Sequence, residues 1–206
     1  LVISSSIFPL YYGFLFPKEN PYLLFLGFEF KSTALISFVT AFAFLCVAFF
    51  SPLLSGIADF AGNKKRFMQF FCYLGALSCI GMYWFTSDNI YFGIVCFFFG
   101  LLGFWGSLVF YNSYLPDIAF KEQQDSLSAK GYSFGYVGSV ILLLINLYMI
   151  LGKEGEEAMH AMRLAFAMTG IWWILFAQYA FYYLPKGNKN AEKITKDVVL
   201  NGFREI

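Results

Sequence analysis

Long stretches without any Asp, Glu, Lys or Arg alternate with short polar segments along this chain. A helix of about 20 apolar residues is long enough to cross a hydrocarbon core that is about 30 Å thick. Each stretch is continuously apolar, whereas the strands of a membrane barrel alternate apolar and polar residues, so the pattern predicts helical spans. The five complete stretches contain 21 to 28 residues and cover 33–58, 67–87, 89–116, 131–152 and 164–185.

A sixth apolar segment, 1–16, stands at the beginning of the chain, is shorter than the others and does not begin with methionine. We interpret it as the outer part of a span that starts before residue 1. The sequence therefore predicts an all-α membrane protein with a bundle of six transmembrane helices over 1–185. The segment 186–206 is polar, and we expect it to begin a cytoplasmic linker to a second bundle.

The composition agrees with a lipid environment, because 59 % of the residues are hydrophobic and only 13 % are charged. A net charge of +1 gives no indication of a nucleic-acid partner. The four cysteines, Cys46, Cys72, Cys79 and Cys96, lie within predicted spans and lack the spacing of metal ligands. No zinc-protease, nucleophile-elbow or phosphate-loop motif is present, so the sequence predicts neither an enzyme nor a metal or cofactor site.

Basic residues in the connecting segments predict the orientation, since cytoplasmic loops carry an excess of Lys and Arg. Placing 60–66, 117–130 and 186–206 in the cytoplasm puts ten bases there and leaves four on the other side. Both ends of the six-span unit would then lie inside. The ten are Lys64, Lys65, Arg66, Lys121, Lys130, Lys186, Lys189, Lys193, Lys196 and Arg204, and the four are Lys18, Lys31, Lys153 and Arg163.

The turn after the second span carries the pattern G-x-x-D-x-x-G-N-K-K, which begins at Gly56. A glycine one turn before Asp59 would let a neighbouring helix come close. The Asp59 carboxylate would favour the amide end of another helix. Gly62 permits a tight reversal with positive φ. The following bases, Lys64, Lys65 and Arg66, would hold the turn on the cytoplasmic side, so we interpret the motif as a conformational latch.

This pattern resembles the signature of the major facilitator superfamily between its second and third spans. Here the spacing from Gly56 to Asp59 is one residue shorter than the commonest form, and Phe60 stands where that form has Arg. The segments SPLLSGIADFAGNKKRF, FYNSYLPDIA and SAKGYSFGYVGSVILLLIN are similar to a branch that includes the yeast vacuolar amino-acid effluxer of the autophagy set and its bacterial relatives.

The resemblance implies that the chain is the amino-terminal half of a twelve-helix transporter, whose partner is the carboxy-terminal six-helix half. Such bundles rock around a central cavity, and cargo binds near the middle of the bilayer. In this fold the first and fourth spans line the path. Polar or aromatic side chains of those spans are the candidates for the substrate path, namely Ser4, Ser5, Ser6, Trp105, Ser107, Tyr111 and Asn112.

Each of these candidates also has an ordinary structural interpretation. A serine in a membrane helix commonly donates to a carbonyl of its own helix. Asn112 could instead cap the cytoplasmic end of its helix. Three glycines, Gly131, Gly135 and Gly138, share one helical face, and either close helix packing or a flexible gate would explain them.

Two further charges stand at the cytoplasmic end of the fourth and fifth spans. Asp117 and Lys130 could pair with each other or with the basic turn at 64–66, which would form a gate at the inner mouth. Alternatively, both are solvated loop charges.

The sequence thus predicts secondary active or facilitative transport of a small organic solute, and the family resemblance suggests an amino acid. The expected location is a bacterial inner membrane. The five complete stretches contain no carboxylate that could couple transport to protons, so coupling either resides outside this chain or is absent. The alternative from another class is a receptor or scaffold that keeps the same fold without transporting.

Overall fold

The computed structural model describes residues 6–16, 22–25, 27–60 and 63–185, without the side chains of 53–55 and 57–60. Seven α-helices, two short 3-10 helices and one two-stranded hairpin are present in this part of the chain. Five of the helices are long and apolar enough to cross a membrane, which confirms the predicted helical membrane architecture. The elements are α1 Phe8–Leu15, β1 Tyr22–Phe25, β2 Phe28–Lys31, α2 Ser32–Phe60, α3 Lys64–Gly81, α4 Ile90–Ser113, α5 Leu115–Ile118, α6 Lys121–Ile150 and α7 Gly155–Tyr183.

Glycine and proline mark several of the helix boundaries. Gly152 and Gly155 have φ values of +78° and +56°, which side-chain-bearing residues rarely adopt, and they form the turn between α6 and α7. At the other end of α7, Leu184 is extended (φ −64°, ψ 138°) because it precedes Pro185. The segment 186–206, predicted to be a linker, lies outside the described residues.

Long-range hydrogen bonds show which helix ends share a side of the bundle. The Tyr91 hydroxyl, at the start of α4, donates to the Leu24 carbonyl of the hairpin at 2.9 Å. At the opposite side, Lys64 at the start of α3 lies beside Asp117. The spans therefore alternate in direction as the sequence predicted. The assignment of the lysine-rich side to the cytoplasm stays a prediction from the distribution of bases.

The β-hairpin between α1 and α2 was not predicted from the sequence. Tyr22 pairs with Lys31 and Phe25 with Phe28 in an antiparallel register, and Gly27 has a φ of +84° in the turn. The Phe25 ring stacks on Tyr91 with 5.2 Å between the ring centroids. The hairpin therefore lies against the beginning of α4.

Two helices extend beyond the charge-free stretches, which corrects the predicted loop boundaries. Eight of the first ten residues of α6 are polar, and α7 begins eight residues before Arg163. His160, which lies between the predicted spans 131–152 and 164–185, is therefore helical. The absence of charge marks the part of a helix in hydrocarbon, whereas backbone hydrogen bonding continues where the helix emerges into water.

The best-packed part of the bundle is formed by α3, α4 and α7, and glycines set its spacing. A Cβ on Gly103 would overlap the backbone of Gly75, and a Cβ on Gly75 would overlap the Trp173 ring. Gly106 leaves room for Phe71 in the same way. Small residues allow close helix approach where lipid gives no hydrophobic driving force between helices. These glycines were not singled out in the sequence.

Candidate functional site

The basic turn meets the end of the fourth span through an ion pair. The Lys64 Nζ atom lies 3.0 Å from Asp117 Oδ2 and donates to the Ser113 carbonyl at 3.3 Å. The Lys64 side chain is 21 % exposed and that of Asp117 is 44 % exposed. Of the two pairings that the sequence left open for Asp117, the structure shows the one with the basic turn. Lys130 is exposed and forms no ion pair with a described residue.

The second base of the turn bonds to the end of the last helix. Lys65 Nζ donates to the Leu184 carbonyl at 2.8 Å, just beyond the C-terminal end of α7. A cation at this end also favours the negative end of the helix dipole. Lys64 and Lys65 together connect the beginning of α3 with the ends of α4 and α7. The third base, Arg66, is exposed and forms no hydrogen bond or ion pair with the described residues.

The remaining members of the predicted latch are only partly described. Asp59 lies in the last turn of α2, but its side chain is outside the described part, and so is Gly62. No atom of another helix lies within 4 Å of a Cβ placed on Gly56. Gly56 therefore makes no close helix contact with the described residues.

The substrate-path candidates fall in different environments. Ser4 and Ser5 lie outside the described residues, and Ser6 is half-buried two residues before α1 begins. Ser107 is only 8 % exposed, and its hydroxyl donates to the Phe104 carbonyl of its own helix at 2.8 Å. Trp105 packs against Phe44 of α2, with 5.3 Å between the ring centroids. Ser107 thus lies in the interior of the bundle rather than on an open face of α4.

Tyr111 and Asn112 lie on an exposed face in the last turn of α4. The Tyr132 hydroxyl of α6 is 3.5 Å from Asn112 Oδ1, at the long limit of a hydrogen bond. The Tyr111 hydroxyl occupies the space that a Cβ on Gly131 would need. These contacts place a small polar cluster between α4 and α6, close to the side that carries Lys64.

The other two glycines of α6, Gly135 and Gly138, have open space around them. A Cβ on either residue would meet no atom within 4 Å. They make no helix contact within the described part of the chain, in contrast to Gly131. In the apolar part of α2 and of α6, 11 % of the residues are buried, against 39 % in the apolar part of α3 and of α4. The two least covered spans are therefore α2 and α6.

A second polar cluster, at the opposite side, was missed in the sequence. The Arg163 guanidinium lies over the Tyr83 ring, 5.8 Å from its centroid, and His160 Nε2 is 3.4 Å from the Tyr83 hydroxyl. Nearby, Tyr11 donates to the Phe85 carbonyl. In the sequence, the only indication of this cluster was that Arg163 is a single base in a segment whose composition also permits a helix.

Asn146 is fully buried, and neither its amide nitrogen nor its oxygen has a hydrogen-bond partner among the described residues. A buried amide without partners costs about 1–3 kcal/mol of stability.

No group of three or more His, Cys, Asp or Glu side chains suited to a metal ion occurs in the described ranges.

Comparison with known proteins places this bundle in a family. A family model described as vacuole effluxer Atg22 like matches residues 16–206. The chain is 27 % identical over 216 residues to the uncharacterized MFS-type transporter YxiO of Bacillus subtilis strain 168. This alignment covers 100 % of the chain and 47 % of the relative, so the chain spans about half the length of that protein. No solved structure matches the chain.

These matches confirm the resemblance inferred from the segments around Gly56, Asn112 and Gly131. The helical bundle with five long apolar spans agrees with them. The chain belongs to the vacuole effluxer Atg22-like family, a branch of the major facilitator superfamily.

Proposed function

We propose that this chain is the first six-helix bundle of a secondary transporter that moves a small organic solute, with amino acids as the leading class, by alternating access. The observation that carries the proposal is the match of residues 16–206 to a family of effluxers. We place it in a bacterial inner membrane, and the lysine-rich turns favour the cytoplasm for this side of the bundle. A receptor or scaffold with the same fold has no observation that favours it.

The uneven coverage of the helices supports a two-bundle arrangement. The spans α3, α4 and α7 pack closely, whereas α2 and α6 remain largely uncovered. A second bundle would contact α2 and α6. The open space around Gly135 and Gly138 would then allow one of its helices to approach α6 closely.

The polar cluster of Tyr111, Asn112 and Tyr132 is the proposed contact for cargo at the inner mouth. All three side chains are exposed, and they lie on two neighbouring helices. Hydroxyl and amide groups can donate to a carboxylate or accept from an ammonium group, as a zwitterionic solute requires. Asn112 lies one residue before the end of α4, so the cluster would receive the solute at the mouth rather than at mid-membrane.

The ion pair of Lys64 with Asp117 is the proposed latch. It connects the beginning of α3 with the segment after α4, and Lys65 connects the same turn with the end of α7. The three helix ends would therefore move together when the bundle rocks. Asp117 is nearly half exposed, so the pair would contribute no more than about 1 kcal/mol. Such a pair would adjust the balance between inward and outward states.

Solute flux through the full-length gene product in proteoliposomes tests this function. We expect efflux of at least one labelled amino acid from loaded vesicles, and Asn112→Ala should reduce it. Tyr182→Phe is the matched control, because its ring is 81 % exposed on α7 and far along the chain from the cluster. Folded protein that moves other metabolites but no amino acid would contradict the solute class. Folded protein that moves nothing across a broad metabolite panel would contradict transport itself.

A further inference from the structure

A crevice of about 350 Å³ opens between α2, α3 and α4 at the surface of the bundle. This volume is in the range of small-ligand sites, about 300–1,000 Å³. No charged side chain of a described residue lines it. Its walls are mainly aromatic and aliphatic, and they include Val47, Phe50, Phe70, Leu74, Phe99 and Val109.

The crevice lies in the half of the membrane next to the basic turn. Phe70 and Leu74 are six and ten residues beyond Lys64, the first residue of α3. At a rise of 1.5 Å per residue, they lie about 9 and 15 Å below the start of that helix. The hydrocarbon core is about 30 Å thick, so the crevice spans the depth of one leaflet.

Arg66 precedes two of the residues that line the crevice by one and two helical turns. Residues 66, 70 and 74 are four apart, so they follow one face of α3, and the last two line the crevice. Arg66 is exposed and has no hydrogen-bond or ion-pair partner within the described part of the chain. Its two neighbours differ, because Lys64 contacts Asp117 and Lys65 contacts Leu184.

The electrostatics at this end of α3 favour an anion. The N-terminus of α3 has no side-chain cap, and its first turn carries no acidic residue. The positive end of a helix dipole normally attracts negative charge, whereas here three bases are added to it. Arg66 therefore adds a fork of N–H donors suited to a phosphate oxygen where the local potential is already positive.

We propose that this crevice binds an anionic phospholipid of the inner leaflet, with one acyl chain between α2, α3 and α4 and the phosphate at Arg66. The apolar walls recognise the chain, and the exposed guanidinium recognises the headgroup charge. The lipid would hold α2 against α3 at the end of the bundle that contains the latch. This binding does not depend on which solute is transported.

Native mass spectrometry of the purified full-length protein tests the proposal. The protein is mixed with equal amounts of dioleoyl phosphatidylglycerol and deuterated dioleoyl phosphatidylcholine. We expect preferential retention of phosphatidylglycerol. Arg66→Gln should lower that preference about fivefold, as about 1 kcal/mol per basic residue near a headgroup would give. The matched control Lys121→Gln removes an exposed charge at the start of α6 and should leave the preference unchanged.

Filling the crevice tests the acyl-chain contact separately. Val47→Trp should reduce retention of both lipids, and Val47→Phe provides a smaller change if the first variant melts early. A benzophenone amino acid at position 70 should crosslink to lipid. Any of three results would overturn the proposal: equal lipid preference for Arg66→Gln and Lys121→Gln, unchanged retention in both position-47 variants when folded, or crosslinking of position 70 to the second half of the protein.

Discussion

Replacing Gly103 with alanine tests whether backbone contact sets the distance between α3 and α4. A Cβ at this position would overlap the Cα and N atoms of Gly75 and lie 2.7 Å from the Phe71 carbonyl oxygen. These are backbone atoms, so no side-chain rotation can relieve the overlap. The two helices must separate, and the packing of α7 against them must change as well.

The size of the effect follows from the geometry. Inserting atoms into a packed core typically costs about 1–3 kcal/mol. The matched control is Gly100→Ala, one turn earlier on α4, where the nearest atom to a new Cβ is Ser78 Cβ at 3.9 Å. That alanine should stabilise the helix by about 0.5–1 kcal/mol through its higher propensity. Because both substitutions gain this propensity, the two variants should differ by the packing cost, about 1–3 kcal/mol.

Thermal unfolding in detergent, followed by tryptophan fluorescence, measures this difference. One kcal/mol corresponds to about 2–4 °C in the melting temperature of a domain of this size. Gly103→Ala should melt below the wild-type protein, whereas Gly100→Ala should melt at or above it. Equal melting temperatures for the two variants would refute the packing argument. Gly75→Ala provides a second test, because its Cβ would meet the Trp173 ring.

Three other predictions concern the buried amide, the ion pair and the topology. Asn146→Leu should raise the free energy of unfolding, measured by thermal unfolding, by about 1–3 kcal/mol, because it removes a buried amide without partners among the described residues. The exposed control Asn112→Leu should not raise it. A lower melting temperature for Asn146→Leu would contradict this prediction. Asp117→Asn should cost no more than about 1 kcal/mol, and its deficit in melting temperature should shrink at high salt. In a cysteine-free background, an impermeant thiol reagent should label Lys153→Cys in sealed cells and Lys121→Cys only after permeabilisation; labelling of both in sealed cells would refute the orientation.

The sequence predicted the contacts of some candidate residues better than those of others. The contact of Asp117 with the basic turn was one of two pairings that the sequence allowed, and only the structure distinguished them. The three glycines of α6 share one face, yet Gly131 alone touches another described residue. Spacing along a helix shows which residues share a face, but it does not show what lies opposite that face.

Arg163 illustrates a site that the sequence could not reveal. The segment around it has the composition of an outer loop, and its charge suggested solvent. In the fold, α7 begins at Gly155, which turns this segment into helix and brings the guanidinium over Tyr83 of a different span. A contact between residues 80 positions apart depends on helix packing and leaves no local signal.

The sequence by itself determined the five complete spans, their helical character and their alternating direction, because hydrocarbon excludes charge and requires internal backbone hydrogen bonds. The tertiary structure alone decided which face of each helix is buried and which glycines make contact. In water, an apolar stripe marks the face that packs. In lipid, the surroundings are as apolar as the helix interface, so the buried face of α3 or α4 cannot be told from the lipid-facing one by hydrophobicity.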